Sequence, residues 1–121
     1  MNDELTQTEM TDEEWQQLQA STMTEKQLQA VIVASARRWG WLVYHTKVSI
    51  GSSPGYPDLH LVHPVQGISM LRELKTQKGK LTEPQRTWLN ALQKAGVDVD
   101  VWRPEHWFNH TIQDLLFEAS F

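Results

Sequence analysis

The 121-residue chain contains no cysteine, which excludes disulfides, thiolate zinc sites and cysteine nucleophiles. The absence of thiols also fits a reducing compartment. No apolar run approaches the roughly 18 residues that a membrane span requires. The opening segment MNDELTQTEM is acidic and polar, unlike a secretory signal. A soluble, cytoplasmic protein is therefore expected. Positive charge is missing too: residues 1–24 hold six of the fifteen acids and no Lys or Arg. The rest of the chain then carries nine acids against eleven bases, so the net charge of −4 hides a mildly basic remainder. A modest basic face is enough for phosphate contacts, because each neutralised phosphate releases counterions.

What is present supports a packed core. Hydrophobic residues make up 40% of the chain and there are six Trp, which excludes a wholly disordered chain. The length suits one domain of ordinary size. Residues 1–21 read as an acidic, Gln/Thr-rich arm, either partly disordered or forming an interface. Within it Met10 to Leu18 could form a short helix anchored by Trp15 and Leu18. The domain proper, 22–121, opens at Thr22-Met23-Thr24-Glu25, a capping-box pattern.

Leu28, Val31, Ile32 and Ser35 recur at helical spacing and predict a helix to about Arg38, ended by Gly40. Trp41 to Thr46 is β-branched and aromatic and predicts a strand, followed by a Gly/Ser/Pro-rich loop to Pro57. Asp58 to His63 and Ile68 to Lys75 predict two more strands around a turn at Pro64–Gly67. A second helix starts at Thr82, with Pro84 in its first turn, Trp88, Leu89 and Leu92 on its buried face and Gly96 as its stop. Val97, Val99 and Val101 alternate with polar or aromatic residues as in a half-buried strand. Pro104 should break that strand before one terminal helix through Ile112, Leu115 and Leu116, with Phe108 a candidate for its apolar face. The order is helix, three strands, helix, strand, helix. It predicts an α/β domain with an antiparallel meander, and the fourth strand joined through a crossover helix.

Three groups stand out chemically. Asp58 opens one strand, and Glu73 and Lys75 lie two apart on the next. Period two puts Glu73 and Lys75 on the same sheet face, and a hairpin can bring Asp58 beside Glu73. Two bare carboxylates so placed would repel by about 4 kcal/mol at an effective dielectric near 20. A divalent cation removes that cost, and oxygen ligands suit Mg²⁺ or Mn²⁺ rather than zinc. Such a cation acidifies a bound water and stabilises charge on phosphoryl oxygens. Asp58 and Glu73 would hold it, with the Leu74 carbonyl as an additional ligand, and Lys75 would serve the attacking water or the transition state.

These residues also carry a resemblance. Gly55-Tyr56-Pro57-Asp58 followed by Glu73-Leu74-Lys75 resembles the signature of the PD-(D/E)XK nucleases. The fuller pattern, with Glu25 on an early helix and Gln85 on a later one, resembles the VRR-NUC family of that superfamily over about Thr24 to Arg103. The resemblance implies a restriction-endonuclease-like core and catalytic and metal-binding roles for Asp58, Glu73 and Lys75. It further implies supporting roles for Glu25 and Gln85, Glu25 as an added metal ligand. It implies a homodimeric, Mg²⁺-dependent endonuclease acting on branched DNA, notably four-way (Holliday) junctions, in a bacterial cell or phage-infected host. The alternatives are flap, fork or single-stranded DNA as substrate, or a non-catalytic nucleic-acid-binding module on the same fold.

Around this centre, Lys47, Ser52, Ser53, Lys78 and Lys80 are candidate DNA contacts, since lysines and loop amides suit phosphates. Each has a bland alternative as a plain connector or solvated turn. Glu25 could instead complete the capping box, and Gln85 could be a helix-cap contact. His45, His60 and His63 have no zinc spacing, and His45 reads as a packed strand residue before a site residue. Stacking of a base on Trp41 or Tyr56 is open from sequence.

Overall fold

The computed structural model describes residues 9–46 and 53–121. Helix α1, Asp12–Thr22, is capped by Thr11, whose hydroxyl accepts from the Glu14 N–H at 3.1 Å. Asp12, Glu13 and Glu14 crowd its first turn, where negative charge meets the positive helix end. The helix runs later than the Met10–Leu18 expected. Trp15 and Leu18 are not its anchors, being 51% and 46% exposed; the buried contact is Ala20. A small residue lets α1 approach its neighbour closely.

Helix α2, Glu25–Arg38, does begin with a capping box, but a shifted one. Thr24 and Gln27 form it, with Gln27 N–H donating to Thr24 Oγ1 at 3.1 Å and Thr24 N–H to Gln27 Oε1 at 3.0 Å. Thr22 cannot cap α2, because its hydroxyl is spent on the last carbonyls of α1, those of Leu18 and Gln19. Glu25 is thereby released from the capping role. Leu28, Ile32, Val33 and Ala36 form the buried face, and Gly40, at φ +89°, lets the chain turn out of the helix.

The sheet has four strands, β1 Leu42–His45, β2 Leu59–His63, β3 Ile68–Leu74 and β4 Val99–Trp102, in the order β1-β2-β3-β4. The first three pair antiparallel; β4 joins parallel to β3 after the crossover helix α3, Glu83–Lys94. That is the expected meander and crossover. The fourth strand starts later than the Val97 alternation suggested. The Val97 N–H bonds Leu92 O and the Gly96 N–H bonds Gln93 O, each at 3.0 Å. This is a Schellman closure of α3, so Val97 completes the helix end and stays outside the ladder.

The single terminal helix expected is two. Pro104 starts α4, Pro104–Phe108, where its missing N–H costs nothing, and α5 spans Thr111–Glu118. His110 takes a left-handed φ of 67° between them, and Asn109 Oδ1 accepts from Thr111 N–H and Oγ1.

Two layers of helix enclose the sheet. One face sets Leu59, Leu61, Met70, Leu74 and Trp102 against Leu28, Ile32 and Ala36 of α2 and Ile112 and Leu116 of α5. Trp41 belongs to this core, buried and donating from Nε1 to Leu116 O at 3.1 Å, so the base-stacking idea fails for it. The other face sets Leu71, Val99 and Val101 against Leu89 and Leu92 of α3. No helix among the described residues is long and apolar enough to cross a membrane.

Replacing the fully buried Ile32 with Ala should cost about 2–5 kcal/mol in a denaturant melt, through lost burial and a residual cavity. The same measurement on Leu42→Ala, at an exposed edge-strand position, should stay within about 0.5 kcal/mol.

Candidate active site

Register decides the geometry. In the β2–β3 pair Leu59 faces Arg72, and each step along one strand is matched by a step back along the other. One step beyond, Asp58 stands opposite Glu73, on the face that carries α3. The link is direct: Leu74 N–H donates to Asp58 Oδ2 at 2.7 Å. Lys75 N–H donates to Trp102 O on β4, and Leu71 N–H to Asp98 O, so the amides of β3 alternate between its two neighbours. Leu74 points its backbone polar groups to the β2 side, toward Asp58.

The turn before Asp58 is held by its neighbours. Pro57 is fully buried, Thr46 Oγ1 donates to Pro57 O at 2.9 Å, and Thr46 N–H donates to Asp58 O at 2.8 Å. Gly55, at φ +90°, lies so close to the first turn of α3 that a Cβ would fall 2.4 Å from Pro84 C and 2.6 Å from Gln85 N. Tyr56 packs edge-on against Trp88 with centroids 5.0 Å apart, which gives its ring a partner within the protein. The Gly-Tyr-Pro-Asp turn is therefore clamped between β1 and α3.

Glu73 is 1% exposed and Lys75 9%, on the same face two residues apart. Burial pushes the Glu73 carboxyl up to about 9; the hydrogen bond and charge of Asp58 add to this, Lys75 opposes it, and Glu25 adds to it again. The Asp58 carboxyl nearby thus favours the protonated form of Glu73. A divalent cation can do what that proton does, with more charge. The donors suit a hard ion: the oxygens of Asp58 and Glu73 and the Leu74 carbonyl, with no thiolate or imidazole. Among the described residues no cluster of three or more His, Cys, Asp or Glu forms a larger cage. Glu25, exposed in the first turn of α2, acts on Glu73 through its field.

Gln85 takes the capping role. Its Oε1 accepts from Thr82 N–H at 2.9 Å and its own N–H donates to Thr82 Oγ1 at 3.3 Å. The Gly55 contact still places it beside the Asp58 turn. Lys78, Lys80 and Ser53 are exposed, while Lys47 and Ser52 lie outside the described residues. His45 pairs with Leu59, one position off the row of Asp58, so its side chain is on the opposite face. A cleft of about 470 Å³ lies elsewhere, between α1 and α4, lined by Glu13, Gln16, Lys78 and Phe108 among others.

Two arginines escaped sequence reasoning. Arg72, nearly buried, pairs with Asp98 at 2.9 Å and sits over the Trp102 ring at 4.9 Å, a structural role. Arg103 Nη1 donates to Thr76 O and Gly79 O at 2.7 Å and to Gln77 O at 3.4 Å, tying down the loop after Lys75. No local pattern marks either one, since both act across the β3–β4 pairing.

The VRR-NUC domain family model matches residues 3–105. The chain belongs to the VRR-NUC family. The match begins well before the Thr24 start suggested by the motifs and so takes in α1. Among solved structures, a VRR-NUC domain is similar in fold, with a TM-score of 0.62 at 22% identity, covering 75% of this chain and 97% of that one. No curated protein matches. The four-stranded mixed sheet between helices matches the fold of that VRR-NUC domain and is consistent with the restriction-endonuclease-like core that the motifs implied; membership of the family implies a nuclease-type fold.

The raised Glu73 carboxyl has a consequence for stability. Without metal the folded chain holds a proton that the unfolded chain releases near pH 4.5, so stability should fall as pH rises from there toward 9. Thermal melts in chelator should record that decline in the parent chain, and Glu73→Gln should flatten it. Added Mg²⁺ or Mn²⁺ should raise the melting temperature of the parent near pH 8 and leave Glu73→Gln nearly unmoved. Gly55→Ala should lower the melting temperature by several degrees, because its Cβ meets backbone that cannot step aside.

Proposed function

We propose that this VRR-NUC domain is a divalent-metal-dependent endonuclease that hydrolyses phosphodiester bonds in branched DNA, four-way junctions first among them. The observation that carries the reading is the convergence of Asp58, Glu73 and Lys75 on one face, with Glu73 buried and the Leu74 amide bound to Asp58. Asp58, Glu73 and the Leu74 carbonyl would hold Mg²⁺, with Mn²⁺ able to substitute. When bound, such an ion would lower the pKa of a bound water and offer a positive centre to the phosphoryl oxygens.

The chain's own residues do the rest. The Leu74 N–H fixes the Asp58 carboxylate, and the Thr46 contacts fix the turn that carries it. Lys75, largely withdrawn from water, stabilises negative charge developing on the phosphoryl group or orients the attacking water. Burial strengthens both effects by lowering the local dielectric. Glu25 adds a negative field that favours a cation at the pair. Ser53, Lys78 and Lys80 offer contacts to the DNA backbone, and Lys47 and Ser52 belong to the same expectation. Each chain contributes one such site, so paired nicks across a junction require two copies, and a homodimer is part of this reading.

Cleavage of labelled four-way, flap, fork, single-stranded and linear duplex substrates, with and without chelator, is the direct test. Metal-dependent, paired cuts in the four-way junction are expected. A preference for flap, fork or single-stranded DNA would move the substrate assignment without touching the chemistry. Asp58→Asn and Glu73→Gln should abolish cutting while DNA binding persists, and Lys75→Ala should lose about 10²–10³-fold in rate. Full activity in any one of these variants would remove that residue from the site. Binding without cutting by the parent chain in Mg²⁺ and in Mn²⁺ would leave a non-catalytic module.

A further inference from the structure

The loop between β3 and α3 is built more carefully than a solvated turn needs to be. Arg103 Nη1 gathers three of its carbonyls, from Thr76, Gln77 and Gly79. A Cβ on Gly79 would lie 2.7 Å from Thr76 Oγ1 and 3.6 Å from Lys75 Cδ, so the loop also rests on the stem of Lys75. Leu81 pins its far end by packing on the Leu71, Leu89 and Val99 cluster. Between loop and helix lies an open depression of about 310 Å³, lined by Gln77, Lys78, Gly79, Lys80, Leu81, Arg86 and Arg103. Four of these residues are cationic and none is acidic. The neighbouring carboxylate, Glu105, lines the cleft on the α1 side instead and accepts from Gln77 Nε2 at 2.8 Å.

We infer that this depression is a phosphate subsite, seating a backbone phosphate of the DNA strand next to the scissile one. The inference rests on the nuclease reading for which phosphate is scissile, and on the charge and shape of the depression for the rest. Arg103 spends only Nη1 on the loop among the described residues, so Nε and Nη2 keep their donors for a ligand. Arg86 projects from the first turns of α3, the helix whose start is held against the Asp58 turn by Gly55. Lys78 and Lys80 come from the loop that begins at Lys75. A phosphate held here is thereby registered against both halves of the catalytic pair, and this registration lets the site choose which bond to cut.

The consequence is measurable in metal-free buffer, where nothing is cut. Binding of fluorescent DNA by the parent chain, by an Arg86→Gln/Lys80→Gln double variant and by Lys94→Gln is followed as salt is raised. Arg86, Lys80 and Lys94 are all exposed, so these variants should keep the fold, and a thermal melt verifies it. Each phosphate contact contributes about 0.9 to the slope of log K against log salt. The double variant should lose several-fold in affinity and flatten the slope by about 1 to 2. Lys94→Gln, removing a charge at the far end of α3, should leave the slope unchanged. In metal, the double variant should raise KM more than it lowers kcat and should scatter the cleavage positions. A double variant whose slope matches that of Lys94→Gln overturns the subsite, even if the parent chain cuts DNA. A parent chain that binds with the steep slope and never cuts overturns the nuclease reading and leaves the subsite standing.

Discussion

A buried carboxyl, Glu73, set opposite the half-buried carboxyl of Asp58 at the end of an antiparallel strand pair constrains most of this molecule's design. At an effective dielectric near 20 their mutual repulsion, both ionised, is about 4 kcal/mol, and desolvation adds to it. The folded chain meets that cost by keeping a proton on Glu73 and by aiming the Leu74 amide at Asp58. Neither device would work if the turn before Asp58 were loose. That turn is clamped by buried Pro57, by the two Thr46 hydrogen bonds and by a glycine pressed onto the backbone of α3. Stability is given up at the pair, and the proposed cation would regain it there.

The same constraint explains the scaffolding around the loop after β3. A lysine withdrawn from water beside a carboxyl pair must be held in place, or it will swing out to solvent. Lys75 is held through its backbone by β4 and along its stem by the Thr76–Gly79 turn. That turn in turn depends on Arg103, one residue beyond β4. The parallel β3–β4 pairing thus links Lys75 to an arginine twenty-eight positions away, and the crossover helix between them supplies the wall on which the Asp58 turn rests.

Much of the fold was legible because its signals are local. Helical spacing from Leu28 to Ile32, Gly40 as a stop and Pro84 in a first turn each follow from backbone sterics or one-sided burial. The misplacements share a different cause, a competition between neighbouring elements for the same group. Thr22 could have capped α2 had α1 not claimed its hydroxyl, and Val97 could have entered β4 had the end of α3 not taken its amide. Trp15 and Leu18 suggested anchors, yet the approach of α1 is made through Ala20.

At the site, the sequence by itself determined that Glu73 and Lys75 share a face, since two-residue periodicity is a property of the strand alone. It also excluded thiolate ligands and nucleophiles, there being no cysteine. Only the tertiary structure decided the rest. Register placed Asp58 opposite Glu73, burial raised the Glu73 carboxyl, the helix end claimed Gln85, and the meeting of β3 with β4 brought Arg103 under the basic loop. These are relations between residues far apart in the chain, and their energies exist only once the intervening segments have packed.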